Sequence, residues 1–479
     1  MWLKHAIAGL IRLLNVYLIF NYLSISEKMY SIQESQNMII FIQIFLSLAA
    51  IGLCSSRLLT NVFNRNKYVN YENFFLILLI VDVFLPAFIG AITGIYQKFP
   101  YFTIQNESSY LIATIIFIIG TMLFALGFKS ADYISIKQLK PNPNQEYVIS
   151  ETFLLLSFLF VVAVMVINLL IEFISLGSWD LFYQYKISRI YLATIEHTTF
   201  FAKSIALASE LTLIILFITM SVGLVNSERL KRPFFWGIVV PVLAFILTLT
   251  TMYRGTILQY GIVLILSLQY KYDWQLVKKL RGRIVRIGLL FILAFVVYGA
   301  VRTSLNYSYW GEEKLGFIDS FVTMLTNTMG TSLIACARCV EYLNSGNSLF
   351  WGESIFQMFY SFIPKSIWAD KPTQYGIITL TTAMDSPNTT MDAITMPGEL
   401  LLNFDYWGLL LLIPIGLVFG LLEQMRLSNR FRYLYIASLS ALVTTSMWMS
   451  FTGFFAQTKY FFIYAIVLVF IFRKKRYPS

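Results

Sequence analysis

Glu399, Arg254 and Arg302 are the residues whose types and settings carry the most chemistry in this chain. Glu399 follows Pro397-Gly398 and precedes Leu400-Leu401-Leu402, so a group able to take or orient a proton stands at the mouth of an apolar run. Arg254 is followed by Gly255, which permits a tight turn, and Arg302 follows the apolar stretch 286–301. A guanidinium bonds two oxygens of an anion at once, whereas an ammonium acts as a point charge. The plain alternative is that each arginine anchors a helix end at an interface and that Glu399 caps or solvates a helix start.

Other chemistries find no support. His5 and His197 are the only histidines, so no histidine metal cluster can be assembled, and neither a metal nor another cofactor is expected. There is no Gly-rich phosphate loop, Gly-x-Ser-x-Gly elbow or dinucleotide fingerprint. Three cysteines are too few for a disulfide framework. Cys336 and Cys339 share one helical face and read first as small buried side chains, second as a redox pair.

The elements that must hold these residues are membrane helices. With 58% hydrophobic and 13% charged residues, against about 25% charged in soluble domains, the chain cannot hide its apolar surface in water. Apolar runs long enough to span fall at 4–23, 37–54, 74–96, 109–128, 150–176, 204–225, 234–251, 256–270, 286–301, 405–422, 433–450 and 459–472. The expected fold is therefore an all-α polytopic membrane protein of about twelve transmembrane helices, forming one membrane domain over 1–479. The first run lacks a small-residue cleavage site and reads as a retained helix.

Charge tests the parity of these spans. With the tail Arg473-Lys474-Lys475-Arg476 placed inside, the inner loops are 423–432, 271–285, 226–233, 129–149 and 55–73, and both termini are cytoplasmic. Of the 36 Lys and Arg, 23 then lie inside and 11 outside, while Arg12 and Lys459 lie within spans. A miscounted span would scramble this alternation. The net charge of +11 thus reflects orientation in a bilayer, and no nucleic-acid partner is expected.

The parity leaves 302–404 as a large outward loop between spans nine and ten, with five basic and nine acidic residues. Residues 316–343 and 350–362 carry helix-like amphipathic spacing. The segment from Phe321 to Leu343 reads as re-entrant or interfacial, since Arg338 and Glu341 in its last turns argue against a thirteenth span. Arg12 and Asp82 lie at similar depth in spans one and three, where a bridge between them ranks above ion coupling. Glu172 and Glu210 lie toward the outer ends of spans five and six, where an interfacial role ranks first.

Residues 350–408 contain Ile-Pro-Lys-x-Ile-Trp-x-Asp-Lys-Pro (Ile363 to Pro372) and Gly-Glu-Leu-x-x-Asn-Phe (Gly398 to Phe404), then Gly408 opening the next span. These runs resemble the large outer loop of the Wzy-type O-antigen and exopolysaccharide repeat-unit polymerases, and Tyr253-Arg254-Gly255 and Arg302 are similar to further family positions. Where that family usually has Gly after the Asn-Phe pair, this chain has Asp405. The resemblance covers the second half of the chain; the first half matches by topology alone.

The resemblance implies a metal-independent glycosyltransferase with a GT-C-like fold in the bacterial inner membrane. It would polymerise undecaprenyl-pyrophosphate-linked repeat units on the outer face into O-antigen, capsule or exopolysaccharide. Glu399, Arg254 and Arg302 would be catalytic, and Lys365, Trp368, Asp370, Lys371 and Asn403 would bind substrate. The partners implied are the polyprenyl pyrophosphate-linked glycan and the lipid bilayer, with a chain-length regulator protein as a further candidate. Asp370, Asp385 and Asp392 are the next candidates for the base.

Two other readings compete. A secondary transporter or glycan flippase would place its longest connection mid-chain, whereas here it follows span nine. An O-antigen ligase would be expected to carry a histidine in the loop, and 302–404 has none. A reporter fused near Gly346 should report the outer side and one near Lys279 the cytoplasm; both on one side would overturn the parity.

Overall fold

The computed structural model describes residues 32–63, 70–93, 107–134, 147–179, 200–250, 254–272, 331–356, 395–427 and 432–436, with a few single positions and most of 467–474. Its elements are α1 (Ile32–Phe63), α2 (Tyr71–Leu79), a π-helical turn (Ile80–Phe84), α3 (Leu85–Thr93), α4 (Glu107–Ser130), strand β1 (Tyr147–Ile149) and α5 (Glu151–Leu176). There follow α6 (Phe200–Val225), a second π-helical turn (Phe235–Val239), α7 (Val240–Thr250), α8 (Arg254–Tyr272), α9 (Thr331–Asn344) and α10 (Met396–Phe404). A 3-10 segment (Asp405–Leu411), α11 (Leu412–Gln424) and strand β2 (Phe472–Lys474) complete the list.

The protein is a helical membrane protein. Met38–Asn61, Ser108–Tyr133, Glu151–Leu176 and Met396–Gln424 are long and apolar enough to cross a bilayer, and Thr212–Val225 and Phe235–Thr250 are shorter apolar helices. The described parts of the expected runs at 37–54, 74–96, 109–128, 150–176, 204–225, 234–251 and 256–270 fall on helix. The run at 4–23 and most of 286–301, 433–450 and 459–472 lie outside the described residues.

The described residues fall into two compact units, the first within Met1–Ser135, Val322–Glu423 and Met447–Phe454. Within it α4 and α11 cross closely. Gly416 and Gly420, one turn apart on α11, have no room for a side chain: a Cβ on either would fall against the Phe124 or Phe128 carbonyl of α4. Gly127 of α4 answers them, its missing Cβ being where the Ile413 carbonyl sits. Lipid tails are as apolar as leucine, so close backbone contact, not hydrophobic exclusion, holds such helices together. Gln43 Nε2 on α1 donates to Thr114 Oγ1 at 2.7 Å, a buried polar link to α4.

At one end of this unit Arg57 of α1 pairs with Glu72 at 2.7 Å. There too Asn61 Nδ2 donates to Asn73 Oδ1 at 2.9 Å, and the Tyr71 amide donates to Glu423 Oε2 at 3.2 Å. Tyr71 and Glu423, both in loops expected inside, therefore meet.

The second unit lies within Ile136–Phe321, Gln424–Ser446 and Phe455–Ser479. Antiparallel β1 and β2 pair Tyr147 with Lys474 and Ile149 with Phe472, which fastens loop 129–149 to the C-terminal tail. Glu151, in the first turn of α5, accepts from the Lys231 amide at 2.8 Å and Trp236 Nε1 at 3.2 Å. Tyr270 Oη donates to the Arg426 carbonyl at 3.1 Å. The segments expected on one side of the membrane are thus joined at one end of this unit as well.

Glu172 is buried, at 8% exposure, and accepts from Asn168 Nδ2 one turn earlier at 3.1 Å. Arg12 lies outside the described residues, and Asp82 and Glu210 are described in backbone alone. The Arg12–Asp82 bridge therefore stays an expectation.

Gly416→Val and Gly420→Val should each destabilise the protein by at least about 1–3 kcal/mol, because the new methyls meet backbone that cannot swing away. Gly52→Val, where nothing lies within 4 Å, should be nearly neutral. Thermal melting of the detergent-solubilised variants checks this; equal losses at all three positions would refute the close crossing.

Candidate functional site

The site is built on α10. Thr395 is its N-cap, extended at φ −76° and ψ 156°, and its hydroxyl accepts from the Gly398 amide at 3.2 Å. Pro397 sits in the first turn, where its missing N–H costs nothing. Glu399 occupies the same positive end of the helix, a favourable place for a carboxylate. Every residue from Met396 to Asn403 is buried.

The helix ends in a reversal. Asp405 adopts φ 56° and ψ −160°, a conformation essentially reserved for glycine. A Cβ on Gly408 would fall on the Leu400 carbonyl, whereas eight residues of straight helix would part them by about 12 Å. Met396–Phe404 therefore folds back against Asp405–Leu411. By length Met396–Gln424 is one candidate span, but the chain turns within it and α11 alone continues as a helix past the turn.

A chain of hydrogen bonds places the Glu399 carboxylate. Asn403 lies one turn beyond Glu399 on the same face, and its Nδ2 donates to the Glu399 carbonyl at 2.7 Å and to Ser354 Oγ at 2.6 Å. Its Oδ1 accepts from the Gly352 amide at 2.9 Å. The amide orientation follows from these partners, since only Nδ2 can donate and only Oδ1 can accept. With Asn403 donating to its oxygen, Ser354 turns its own hydrogen to Glu399 Oε1 at 2.7 Å. Glu399 is 2% exposed and Asn403 0%. The Phe350 amide adds a bond of 2.9 Å to the Leu402 carbonyl.

Helix α9 covers the site's other side. Gly398 lets it approach: a Cβ there would be 2.9 Å from Cys339 Sγ. Cys336 and Cys339 are buried free thiols, as their helical spacing suggests. Burial pushes the Cys336 thiol up to about 12, opposed by a hydrogen bond with Thr395, so it is a poor nucleophile. Arg338, on the same helix, is 5% exposed. Helix α9 also packs on α4 and on Ile80–Phe84, halfway along Tyr71–Thr93, so this part of the expected outward loop is seated against membrane helices.

Of the residues singled out from sequence, the structure brings Glu399 and Asn403 together. Arg254 opens α8 in the second unit, its backbone alone described. Arg302, Lys365, Trp368, Asp370, Lys371, Asp385 and Asp392 lie outside the described residues. Among the described residues no group of three His, Cys, Asp or Glu could hold a metal.

No family model, curated protein or solved structure matches this chain. The geometry must therefore carry the reading. Sequence reasoning did not single out Ser354, Gly352 or Thr395. Thr395 had a signal, an N-cap residue two positions before a proline. Ser354, distant in the chain from Glu399, had none.

Asp405→Gly should raise stability by about 1 kcal/mol by relieving the left-handed strain. A melting temperature below that of the unaltered protein would show that the Asp405 side chain holds the turn.

Proposed function

We propose that this protein polymerises polyprenyl-pyrophosphate-linked repeat units into surface polysaccharide on the outer face of a bacterial inner membrane. The observation that carries this reading is the buried Glu399. It is fixed by Ser354 and Asn403 at the first turn of α10, within the Gly398–Phe404 run that resembles the polymerases. In this proposal the chain has twelve spans, cytoplasmic termini, a single membrane domain and a GT-C-like fold, with the 302–404 segment on the outer side.

The oxygen of an acceptor sugar hydroxyl attacks the anomeric carbon of the donor repeat. The bond from that carbon to the pyrophosphate oxygen breaks, and polyprenyl pyrophosphate leaves with the electron pair. Glu399 takes the hydroxyl proton or orients the hydroxyl, and Arg254 and Arg302 balance the leaving charge. Lys365, Trp368, Asp370 and Lys371 bind the glycan. Asn403, expected from the resemblance to bind substrate, has its amide engaged by three protein groups and acts instead as a positioning residue for Glu399.

A second reading draws on the reversal at Asp405. Broken helices whose N-terminal ends face the protein interior are how transporters build their sites, so a lipid-linked glycan flippase is the alternative.

Surface polysaccharide displayed on a gel separates them. Deletion of the gene should leave single repeat units in place of a ladder; loss of all surface glycan would favour the flippase. In the complemented strain, Glu399→Gln keeps the shape of the site and should cut polymer by about 10²-fold or more, at normal protein level. Arg254→Lys and Arg302→Lys keep an anchoring charge but lose the two-oxygen contact, and should also collapse the ladder. Normal ladders from all three variants would sink the assigned chemistry.

A further inference from the structure

We propose that the basic end of the second unit is a binding site for the phosphate headgroup of an anionic membrane lipid, independent of the polymerase reading. Cations from three separate stretches of chain converge there. The 3-10 turn Ser227–Arg229 follows α6 and exposes Arg229. Lys271, from the last turn of α8, donates from Nζ to Ser227 Oγ at 2.7 Å. Arg432 sits with its guanidinium 5.3 Å from the Tyr270 ring centroid. Tyr433 ties the third stretch to the first, its hydroxyl accepting from Asn226 Nδ2 at 2.7 Å.

Like charges on stretches bonded to one another repel, so an anion among them is favourable. The carboxylates described on the same stretches, Glu151 and Glu228, are outnumbered by Arg229, Lys231, Arg232, Lys271 and Arg432. Glu151 is engaged by the Lys231 amide and the Trp236 indole, and Glu228 is exposed on the turn itself. Arg229, Lys231, Arg232 and Lys271 form no ion pair among the described residues.

The apolar surface beside the cluster selects a lipid over a soluble anion. Directly after Lys231-Arg232 come Phe234, Ile238, Val242 and Ile246, four residues apart and 67%, 54%, 52% and 49% exposed. Such spacing forms one stripe along the helix that includes α7. A phosphate on the cations can thus lay an acyl chain along that stripe, and cations beside the membrane surface attract anionic headgroups.

The test is native mass spectrometry of the delipidated full chain in detergent, titrated with phosphatidylglycerol or phosphatidylcholine. The unaltered protein should prefer phosphatidylglycerol. Combined Arg229→Gln, Lys271→Gln and Arg432→Gln should weaken that lipid roughly 100-fold and leave phosphatidylcholine binding as it was. A measurement on the unaltered protein guards against a variant that fails to fold: raising salt should weaken phosphatidylglycerol alone. Equal binding of the two lipids, salt-independent binding, or full retention by a folded triple variant would overturn the proposal. So would displacement of phosphatidylglycerol by millimolar inorganic phosphate, which would make this a site for a soluble anion.

Discussion

The side-chain amide of Asn403 is the interaction on which the candidate site depends. In an apolar interior an unmade hydrogen bond costs far more than in water, so polar groups must find partners within the protein. One amide there satisfies the Gly352 N–H, the Ser354 oxygen and the Glu399 carbonyl. The left-handed backbone of Trp351 at φ 48° and Gly352 at φ 86° lies in the segment these bonds pin. Strained conformations persist only where surrounding contacts over-determine them. Without Asn403 the turn at 351–352 would lose its anchor and Ser354 its reason to face Glu399.

Glycine does for packing what Asn403 does for polarity. The turn at Asp405 has two arms, and each is fixed by a different means. The near arm, α10, is held by the Asn403 bonds and by α9 resting on Gly398. The far arm, α11, is held by Gly416 and Gly420 against the backbone of α4.

Hydropathy made most of the described helices legible, because a long apolar run has few alternatives to a spanning helix. It says less where a helix is short, although apolar spacing did mark 316–343 as helix-like. Thr331–Asn344 and Met396–Phe404 have 14 and 9 residues, too few for a span-length criterion, yet both are packed on the bundle. Direction is also invisible to a window average, so the reversal at Asp405 read as the simple opening of a span. The departure from glycine at that position was visible, but its meaning needed the φ and ψ values. Glu399 and Asn403 were each legible through the Gly398–Phe404 run, one as a catalytic and the other as a substrate-binding residue, but their pairing on one helical face needed the helix. Ser354 was not legible, because 45 residues separate it from Glu399 and no local pattern encodes a tertiary bond. The pairing of Tyr147–Ile149 with Phe472–Lys474 is hidden for the same reason.

The direction of the hydrogen bonds limits what Glu399 can do. An Asn Nδ2 cannot accept, so the bond to Ser354 Oγ runs from Asn403, and the single serine hydrogen is left for Glu399 Oε1. Successive donors polarise one another along such a chain. Oε1 is thereby fixed as an acceptor, so a proton would be exchanged at Oε2. A polymerase and a proton-coupled flippase would both use that property, the first toward an acceptor hydroxyl and the second toward a proton crossing the membrane. What distinguishes them is whether the proton comes from a sugar hydroxyl, and that depends on the residues that bring the sugar to α10 rather than on the carboxylate itself.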